Sequence, residues 1–263
     1  MTLKEKFEQL KKENKKAFIV YIPFGFPNVE YTNKIILTLQ DADVDIIELG
    51  IPFSDPIADG PIIQEATTVA LKNGANIKRL FFQLEKIKNK INIPIVLMSY
   101  YNPIFRFKIE RFFSKMKEVN TKGILVVDLP ADEDRNYLKQ VKKFELEPIF
   151  LVTPTTSLER AEKIIKNTKG FIYYVSVTGI TGPKVFKFDY IKNHIQNLKK
   201  LTTLPICVGF GVHQPSQVKK ILEFSDGVVI GSCIVKFIKE NYKNKSFFKK
   251  LKDYIKFLRG NHV

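Results

Sequence analysis

The chain has 263 residues, 44% of them hydrophobic and 12% aromatic, and no Ser/Gly/Pro-rich linker divides it. These bounds favour one globular domain over residues 1–263 and exclude a disordered protein. The formal net charge of +16 does not predict a nucleic-acid partner, because the lysines are spread along amphipathic segments with acids between them and form no single basic stripe.

The cysteines and the amino terminus indicate a reducing compartment. Cys207 and Cys233 have no metal-ligand spacing and no neighbouring His, which predicts reduced thiols and no metal site. Residues 1–16 carry acids and lack the apolar core of a signal peptide, and no apolar run approaches the ~18 residues of a spanning helix. We expect a protein of the cytoplasm, or of the plastid stroma if the chain is organelle-encoded, with no membrane partner.

Short apolar runs alternate with longer amphipathic segments along the chain. A helix is predicted over 3–15, where Leu3, Phe7 and Leu10 recur at helical spacing, and we expect it to plug or flank the floor of the fold. An amphipathic helix at 247–258 is predicted to close the other end of the chain. The runs between them are bounded by turn residues and predict strands, at 18–21, 44–48, 95–98, 123–127, 148–152, 171–175, 205–209 and 227–230.

Alternating strands and helices imply parallel pairing through βαβ units. The eight runs are spaced by about 33 residues on average, which suits a (β/α)8 barrel of ~250 residues. The predicted fold class is therefore α/β, a single TIM barrel with an extra amino-terminal helix. A doubly wound open sheet is the alternative, but Gly25-Phe26-Pro27 stands where its glycine-rich fingerprint would follow the first strand.

Residues 48–61, E-L-G-I-P-F-S-D-P-I-A-D-G-P, are the most informative segment. Glu48 is predicted to end the second strand, where apolar neighbours would favour its neutral form and bring it into the range of a general acid/base. A loop broken by prolines can fold Asp59 back over the same mouth, and two carboxylates at different depths can take different roles. The alternative is that Glu48 forms an ion pair inside the barrel while Asp55 and Asp59 merely solvate a loop.

The later strand ends carry further polar and glycine-rich segments. Residues 176–182, S-V-T-G-I-T-G, could form a closing lid with a hydroxyl at Thr181, or a plain surface loop. Gly209-Phe210-Gly211 and Gly231-Ser232 follow the last two strands, where this kind of barrel commonly binds phosphate, although both could be tight turns. The histidines are expected at a helix cap or on the surface: His213, His194 and His262.

Taken together, these segments resemble the tryptophan synthase alpha subunit, an indole-3-glycerol-phosphate lyase, in order and spacing over nearly the whole chain. Two residues depart from the common family pattern, Phe26 and Val20. The resemblance rests on residues 48–61 together with S-Y-Y-N-P at 99–103, D-L-P at 128–130, T-P-T-T at 153–156, S-V-T-G-I-T-G at 176–182, G-F-G-V at 209–212 and G-S at 231–232.

The resemblance implies a retro-aldol cleavage of indole-3-glycerol phosphate to indole and glyceraldehyde 3-phosphate, without a metal or organic cofactor. It makes Glu48 the acid/base and places Asp59 near the indole N–H. Tyr100 and Tyr173 match pocket positions. Apolar walls for the indole are expected from Tyr21, Ile63, Leu125 and Leu129, and the phosphate is expected at Gly182, Gly211, Gly231 and Ser232. Thr181 is expected to meet Asp59 when the loops close, and Phe210 is a further expected substrate contact.

The resemblance also implies a partner, the tryptophan synthase beta subunit, which carries pyridoxal phosphate in an alpha2beta2 complex. Asp55 and Pro56 are the expected interface contacts, on a loop that closes over the substrate with the loop through Thr181. Three other interpretations stay open at this point: a stand-alone indole-forming lyase, another phosphate-binding barrel such as a sugar-phosphate isomerase, and a basic nucleic-acid-binding protein.

Overall fold

Parallel hydrogen bonding joins the strands into a closed ring in this computed structural model, which describes residues 1–176, 188–209 and 211–260. Each strand pairs with the next in sequence, and the last pairs with the first, with Ala17 opposite Gly227. The closed ring confirms the (β/α)8 barrel and excludes the open doubly wound sheet. The strands are β1 (Ala17–Pro23), β2 (Ile46–Gly50), β3 (Ile95–Ser99), β4 (Gly123–Val126), β5 (Glu147–Val152), β6 (Ile172–Val175), β7 (Ile206–Gly209) and β8 (Gly227–Ile230).

Helices that follow the strands cover the outside of the ring, whereas the amino-terminal helix precedes the first strand. Their N-terminal ends lie on the side where the preceding strand ends, because each returns the chain to the start of the next strand. None of the described helices is long and apolar enough to cross a membrane. They are α1 (Leu3–Lys12), α2 (Val29–Gln40), α3 (Pro61–Lys72), α4 (Ile77–Ile87), α5 (Tyr101–Phe107), α6 (Ile109–Glu118), α7 (Arg135–Lys143), α8 (Leu158–Asn167), α9 (Phe188–Leu201), α10 (Pro215–Leu222), α11 (Ser232–Asn241) and α12 (Phe247–Arg259).

Alternation along the strands divides the core into two layers. On β2, Ile47 and Leu49 pack outward against the helices, whereas Ile46 belongs to the cluster that fills the barrel. Successive strand residues point to opposite faces, so Glu48 and Gly50 share the inward face with Ile46. Alternation likewise places Tyr21 on the inward face of β1, after Ala17 and Ile19, although its side chain also packs with the large cluster.

The amino-terminal helix α1 plugs the floor of the barrel, as predicted. Leu3, Phe7 and Leu10 are buried in the interior cluster, and the Phe7 and Phe171 rings lie 5.8 Å apart. The carboxylate of Glu147, at the start of β5, accepts hydrogen bonds from the backbone N–H groups of Leu3 at 2.8 Å and Lys4 at 3.1 Å. These bonds satisfy donors that a helix start leaves unpaired.

The second strand begins two residues later than predicted, because Asp45 has another role. Its buried carboxylate accepts a hydrogen bond from the Phe18 N–H at 2.9 Å. It also pairs with Lys6 on α1 at 3.3 Å and with Arg259 on α12 at 3.2 Å. The carboxylate thereby connects both terminal helices to the first two strands, at the pole opposite the mouth.

Candidate active site

Glu48 lies inside the barrel and not at the end of its strand. The sequence placed it at the carboxyl end, but β2 continues to Gly50, so Glu48 is its central residue. Only 2% of its surface is exposed, and among the described residues its Oε1 has no hydrogen-bond partner. The predicted ion pair inside the barrel is therefore not formed by the described residues.

The surroundings of Glu48 hold its proton at neutral pH. Burial, and secondly the charge of Asp59, raises its pKa from 4.5 to about 8. An ionised carboxylate loses its hydration inside an apolar barrel, which favours the neutral form. A buried carboxyl group that titrates near neutrality can both donate and accept a proton at physiological pH.

Asp59 is carried into the mouth by the loop between β2 and α3. It is 7% exposed, and it accepts a hydrogen bond from the Tyr100 hydroxyl at 3.2 Å. That hydroxyl in turn accepts a hydrogen bond from the Ala58 N–H at 2.9 Å, and the Tyr100 ring packs against Phe53 with 5.3 Å between centroids. Tyr100, which follows β3, therefore fixes the fold of the loop and the position of its aspartate.

The two acids lie near enough for the charge of one to act on the other. The charge of Asp59 contributes to the raised pKa of Glu48. After burial, the charge of Glu48 is the next cause that raises the pKa of Tyr173, and Asp59 contributes to the same shift. Burial raises the pKa of Asp59 itself to about 6, against the opposing effect of the Tyr100 hydrogen bond.

Tyrosines on opposite sides of the barrel lean over glycines of neighbouring strands. A Cβ atom at Gly50 would lie 2.3 Å from the Tyr21 hydroxyl, and one at Gly209 would lie 2.5 Å from the Tyr173 hydroxyl. Both contacts are far too short for a real side chain. The glycines therefore make the room in which these rings extend across the mouth of the barrel.

A helix begins at the mouth after β8, the strand that pairs with β1 on the side away from β2. Gly231 precedes α11, which starts at the exposed Ser232 with no side-chain cap. A Cβ at Gly231 would lie 3.3 Å from the Tyr21 ring, so this helix start adjoins the pocket. Gly211 has a φ of 80°, a left-handed conformation that glycine adopts without strain. Thr181, Gly182 and Phe210, all predicted to contact the substrate, lie outside the described residues, as does the predicted lid from 177 to 182.

Comparison with known proteins gives one answer. The family model for the tryptophan synthase alpha chain matches residues 7–259. The chain belongs to the tryptophan synthase alpha chain family. The tryptophan synthase alpha chain of Petrotoga mobilis is 42% identical over 94% of this chain and 96% of its own, and that of Methanocaldococcus jannaschii is 43% identical over 92% and 86%. The crystal structure of tryptophan synthase subunit alpha from Legionella pneumophila str. Paris matches with a TM-score of 0.91 at 31% identity, over 99% of this chain and 98% of that one.

Membership of the tryptophan synthase alpha chain family confirms the predicted activity. The chain is a carbon–carbon lyase of tryptophan biosynthesis that cleaves indole-3-glycerol phosphate. The finding supports this interpretation over the sugar-phosphate isomerase and the nucleic-acid-binding protein. The departures from the family pattern, Phe26 and Val20, are buried in the outer core layer.

The tryptophan synthase alpha barrel of this chain contains apolar residues that the sequence analysis missed. Leu125 lies in the interior cluster, as an indole wall requires, and side chains from four strands pack beside that cluster while remaining partly exposed. Counting inward positions along each strand would have found them, since each lies two residues beyond a buried inward neighbour. They are Met98, Val127, Leu151 and Val175.

Other predicted residues lie at the edge of the pocket or apart from it. Leu129 packs in the large core cluster and lines, together with Val127 and Leu151, a cavity of about 250 Å³. A turn explains this position, because β4 ends at Val126 and the Leu129 N–H returns to the Val126 carbonyl. Ile63 is half-buried on the first turn of α3, close behind Asp59 in the chain.

One histidine lies where it was predicted and another is more buried than predicted. His213 is exposed near the start of α10, where its Nδ1 lies 2.7 Å from the Gly211 carbonyl, as expected of a cap-region residue. His194 was predicted on the surface, and that is wrong. It is partly buried on α9 against β6, with its Nδ1 2.9 Å from the Tyr174 hydroxyl, and burial lowers its pKa. His262 lies outside the described residues.

Proposed function

We propose that indole-3-glycerol phosphate is cleaved with Glu48 as the proton-transfer group and Asp59 as the carboxylate that faces the indole N–H. The observation that carries this proposal is the buried Glu48 Oε1, which has no partner among the described residues and lies near a second acid and the apolar cluster of the barrel interior. A buried carboxyl group without a partner is costly to a fold. A bound substrate that forms a hydrogen bond with this carboxyl group offsets the free-energy cost of its burial.

The reaction requires two proton transfers at one place. Protonated Glu48 gives its proton to carbon 3 of the indole, which leaves a positive charge on the ring nitrogen. The Glu48 carboxylate then takes the proton of the hydroxyl on the adjoining chain carbon. The O–H electron pair forms the aldehyde C=O, the C–C bond breaks, and its electron pair returns to the ring. Glu48 ends as it began, and the products are indole and glyceraldehyde 3-phosphate.

Asp59 stabilises the charged intermediate. Its carboxylate accepts a hydrogen bond from the ring N–H while that nitrogen is positive, and the effect is strong because the site is shielded from water. The hydrogen bond from Tyr100 and the loop fold fix its direction before the substrate arrives. This preorganisation is what lets a single carboxylate favour the intermediate over the bound substrate.

The phosphate is proposed to bind at the start of α11. Unpaired N–H groups at a helix start and its positive dipole end favour an anion, and Gly231 lets the backbone approach closely. Gly211, on the neighbouring strand end, is proposed to donate from its backbone as well. The parts assigned to Thr181, Gly182 and Phe210 stay predictions.

Ser232→Ala should chiefly raise KM. The hydroxyl is one donor among several to a charged phosphate, so its loss should cost about 1.5–3 kcal/mol, or roughly tenfold or more in KM. The change in kcat should be small, because the phosphate is remote from the bond that breaks. Steady-state assay of indole release gives both constants. Ser216→Ala, an exposed serine near the start of α10, is the matched control and should leave KM unaltered; equal KM values for the two variants would contradict this phosphate site.

Indole release by the purified chain tests the proposed function directly. The chain should form indole and glyceraldehyde 3-phosphate in equal amounts from indole-3-glycerol phosphate, alone or with a beta subunit present. Isomerisation of a sugar phosphate without indole release, in either condition, would instead favour the competing barrel enzyme. Full activity of the isolated chain with no response to a beta subunit would favour the stand-alone lyase.

We also propose that the beta subunit docks at the mouth of the barrel. The loop that buries Asp59 turns Asp55 and Ile57 to the solvent, and Ile57 is 73% exposed. Phe105, on α5 after the adjacent strand, is 61% exposed. Exposed apolar side chains on neighbouring loops are typical of an interaction surface. Because Asp55, Pro56 and Ile57 directly precede Asp59, contact with the partner would bear on the position of the catalytic carboxylate.

Ile57→Asp should weaken binding of the beta subunit by roughly tenfold or more, since a charge in an apolar contact must be desolvated. Titration of the alpha chain with a fluorescently labelled beta subunit measures the change in Kd. Phe82→Asp is the matched control, because Phe82 is 60% exposed on α4, away from the loop. A Kd that changes for Phe82→Asp and not for Ile57→Asp would place the partner on another face.

A further inference from the structure

Tyr21 lies between the two ends of the proposed substrate site. On one side, a Cβ at Gly231 would lie 3.3 Å from its ring, and on the other, one at Gly50 would lie 2.3 Å from its hydroxyl. Gly231 adjoins the start of α11, where the phosphate is proposed to bind. Gly50 follows Glu48 on the same inward face of β2. The side chain therefore spans from the phosphate end to the catalytic acid.

The Tyr21 hydroxyl lies over Glu48 on its mouth side. Tyr21 and Glu48 are direct partners in the parallel register of β1 and β2, and both project into the barrel. The ring then leans towards the mouth, which brings its hydroxyl to the level of Gly50. The side chains lie close enough that the charges of Asp59 and Glu48 both raise the pKa of Tyr21, after burial.

The hydroxyl of Tyr21 and the Oε1 of Glu48 have no hydrogen-bond partner among the described residues. Tyr21 is 6% exposed, yet no hydrogen bond joins its hydroxyl to another described residue. The Glu48 Oε1 is likewise unpaired within the described part of the chain. Buried polar groups are nearly always satisfied in folded proteins. A buried acceptor without a described partner, with the Tyr21 hydroxyl nearby, fits a ligand with a polar atom that reaches both.

An indole ring cannot be that ligand group, because its only polar atom is the N–H proposed to face Asp59. The part of the substrate between the ring and the phosphate does fit, since it is a short carbon chain that carries hydroxyls. It must also cross the interval that Tyr21 spans. The sequence analysis treated Tyr21 as an apolar wall for the indole, and the geometry points to a different contact.

We propose that Tyr21 is a further catalytic residue, whose hydroxyl donates a hydrogen bond to the oxygen on the substrate carbon next to the ring. This inference rests on the proposed function. When Glu48 takes the proton from that oxygen, negative charge builds up on it until the C–C bond has broken and the C=O has formed. The Tyr21 O–H stabilises this charge and keeps its own proton throughout, so the atom and electron balance of the cleavage is unchanged.

Tyr21→Phe tests the inference, because it removes the hydroxyl and keeps the ring. We expect kcat for indole-3-glycerol phosphate to fall by roughly 10- to 100-fold, with a much smaller change in KM, since the bond strengthens as charge develops. The affinity for 3-(indol-3-yl)propyl phosphate, which lacks the chain hydroxyls, should stay within about twofold of that of the parent chain. Tyr174→Phe is the matched control and should keep the parent kcat, because Tyr174 lies on β6 with its hydroxyl beside His194 on α9.

The outcomes separate the inference from the function on which it rests. An active parent chain and a Tyr21→Phe variant with unchanged kcat would overturn the role of Tyr21 and leave the proposed function standing. If Tyr21→Phe weakened the binding of indole-3-glycerol phosphate and of 3-(indol-3-yl)propyl phosphate equally, Tyr21 would only shape the pocket, which also overturns the inference. A parent chain that releases no indole would contradict the proposed function itself. Circular dichroism and thermal unfolding of each variant establish that the protein compared is folded.

Discussion

Glu48→Gln should lower kcat for indole release by roughly 10²- to 10⁴-fold, because that is the contribution of a positioned acid/base and the proposed place of Asp59 is at the indole N–H. Glutamine keeps the shape of the side chain and loses the exchangeable proton. The affinity for 3-(indol-3-yl)propyl phosphate should therefore change little. Single-turnover assay and equilibrium binding of this analogue measure the two effects separately. A kcat within tenfold of the parent value would refute the assignment.

Glu147→Gln is the matched control for this loss. It makes the same chemical change at another buried glutamate, whose carboxylate holds the start of the plug helix at the opposite pole. Its expected effect is on the fold, a decrease of about 1–2 kcal/mol in the free energy of unfolding, with kcat per folded molecule preserved. Activity lost to the same extent in both variants would show that the Glu48 effect is structural.

The stability of Glu48→Gln should move in the opposite direction. Unfolded Glu48 releases its proton near pH 4.5, whereas the folded chain holds it to about pH 8. Ionisation between these values therefore favours the unfolded state, and the cost is complete above pH 8. Glutamine does not titrate, so the variant should be at least as stable as the parent chain in alkaline solution. Chemical unfolding at pH 6 and pH 9 measures the difference.

Asp59→Asn should lower kcat by roughly 10²- to 10³-fold, since a neutral amide cannot stabilise a positive ring nitrogen as a carboxylate does. Asparagine can still accept the Tyr100 hydrogen bond, so the loop should keep its fold. Asp132→Asn is the matched control, because Asp132 is exposed after β4 and pairs with Arg160 at 2.7 Å. Its kcat should equal that of the parent, and an unaffected Asp59→Asn would remove the aspartate from the mechanism.

The pH profile of Asp59→Asn carries a second signature. In the parent chain, activity should fall below about pH 6 as Asp59 gains a proton, and above about pH 8 as Glu48 loses one. These two limbs belong to a coupled pair of acids. The Asn variant should lose the acid limb, and its basic limb should move to lower pH, because the charge that helps to raise the pKa of Glu48 is gone. A profile of unchanged shape would contradict the coupling.

Much of this fold could be predicted because alternation and chain spacing are local properties. The apolar runs predicted where the strands lie along the chain, and the spacing of Leu3, Phe7 and Leu10 predicted the plug helix. The boundary of β2 could not be predicted in this way. Val44 and Asp45 directly precede the strand and were included in its predicted range. The Asp45 carboxylate instead bonds Phe18, Lys6 and Arg259, partners that are remote in sequence and known only from the fold.

The candidate site could be proposed from the sequence where local motifs carry its chemistry, but not where tertiary packing decides the contacts. Glu48 and Asp59 stand in a distinctive segment, whereas the hydrogen bonds that hold the loop join Ala58 and Asp59 to Tyr100, some forty positions away. The Tyr21 ring lies over Gly50 of the neighbouring strand β2, and this contact between strands cannot be predicted from a local pattern. Leu129 lies beyond the end of β4, where a turn follows, so the inward alternation of Leu125 does not give its position.

A crystal structure of the chain with 3-(indol-3-yl)propyl phosphate bound would test the spatial arrangement most directly. We expect the indole ring between Glu48 and Asp59, with its N–H within hydrogen-bonding distance of the Asp59 carboxylate. The phosphate should lie on the backbone N–H groups at the start of α11 and near Gly211, with the carbon chain passing Tyr21. A ring bound away from either acid, or a phosphate on another face of the barrel, would contradict the proposed mechanism.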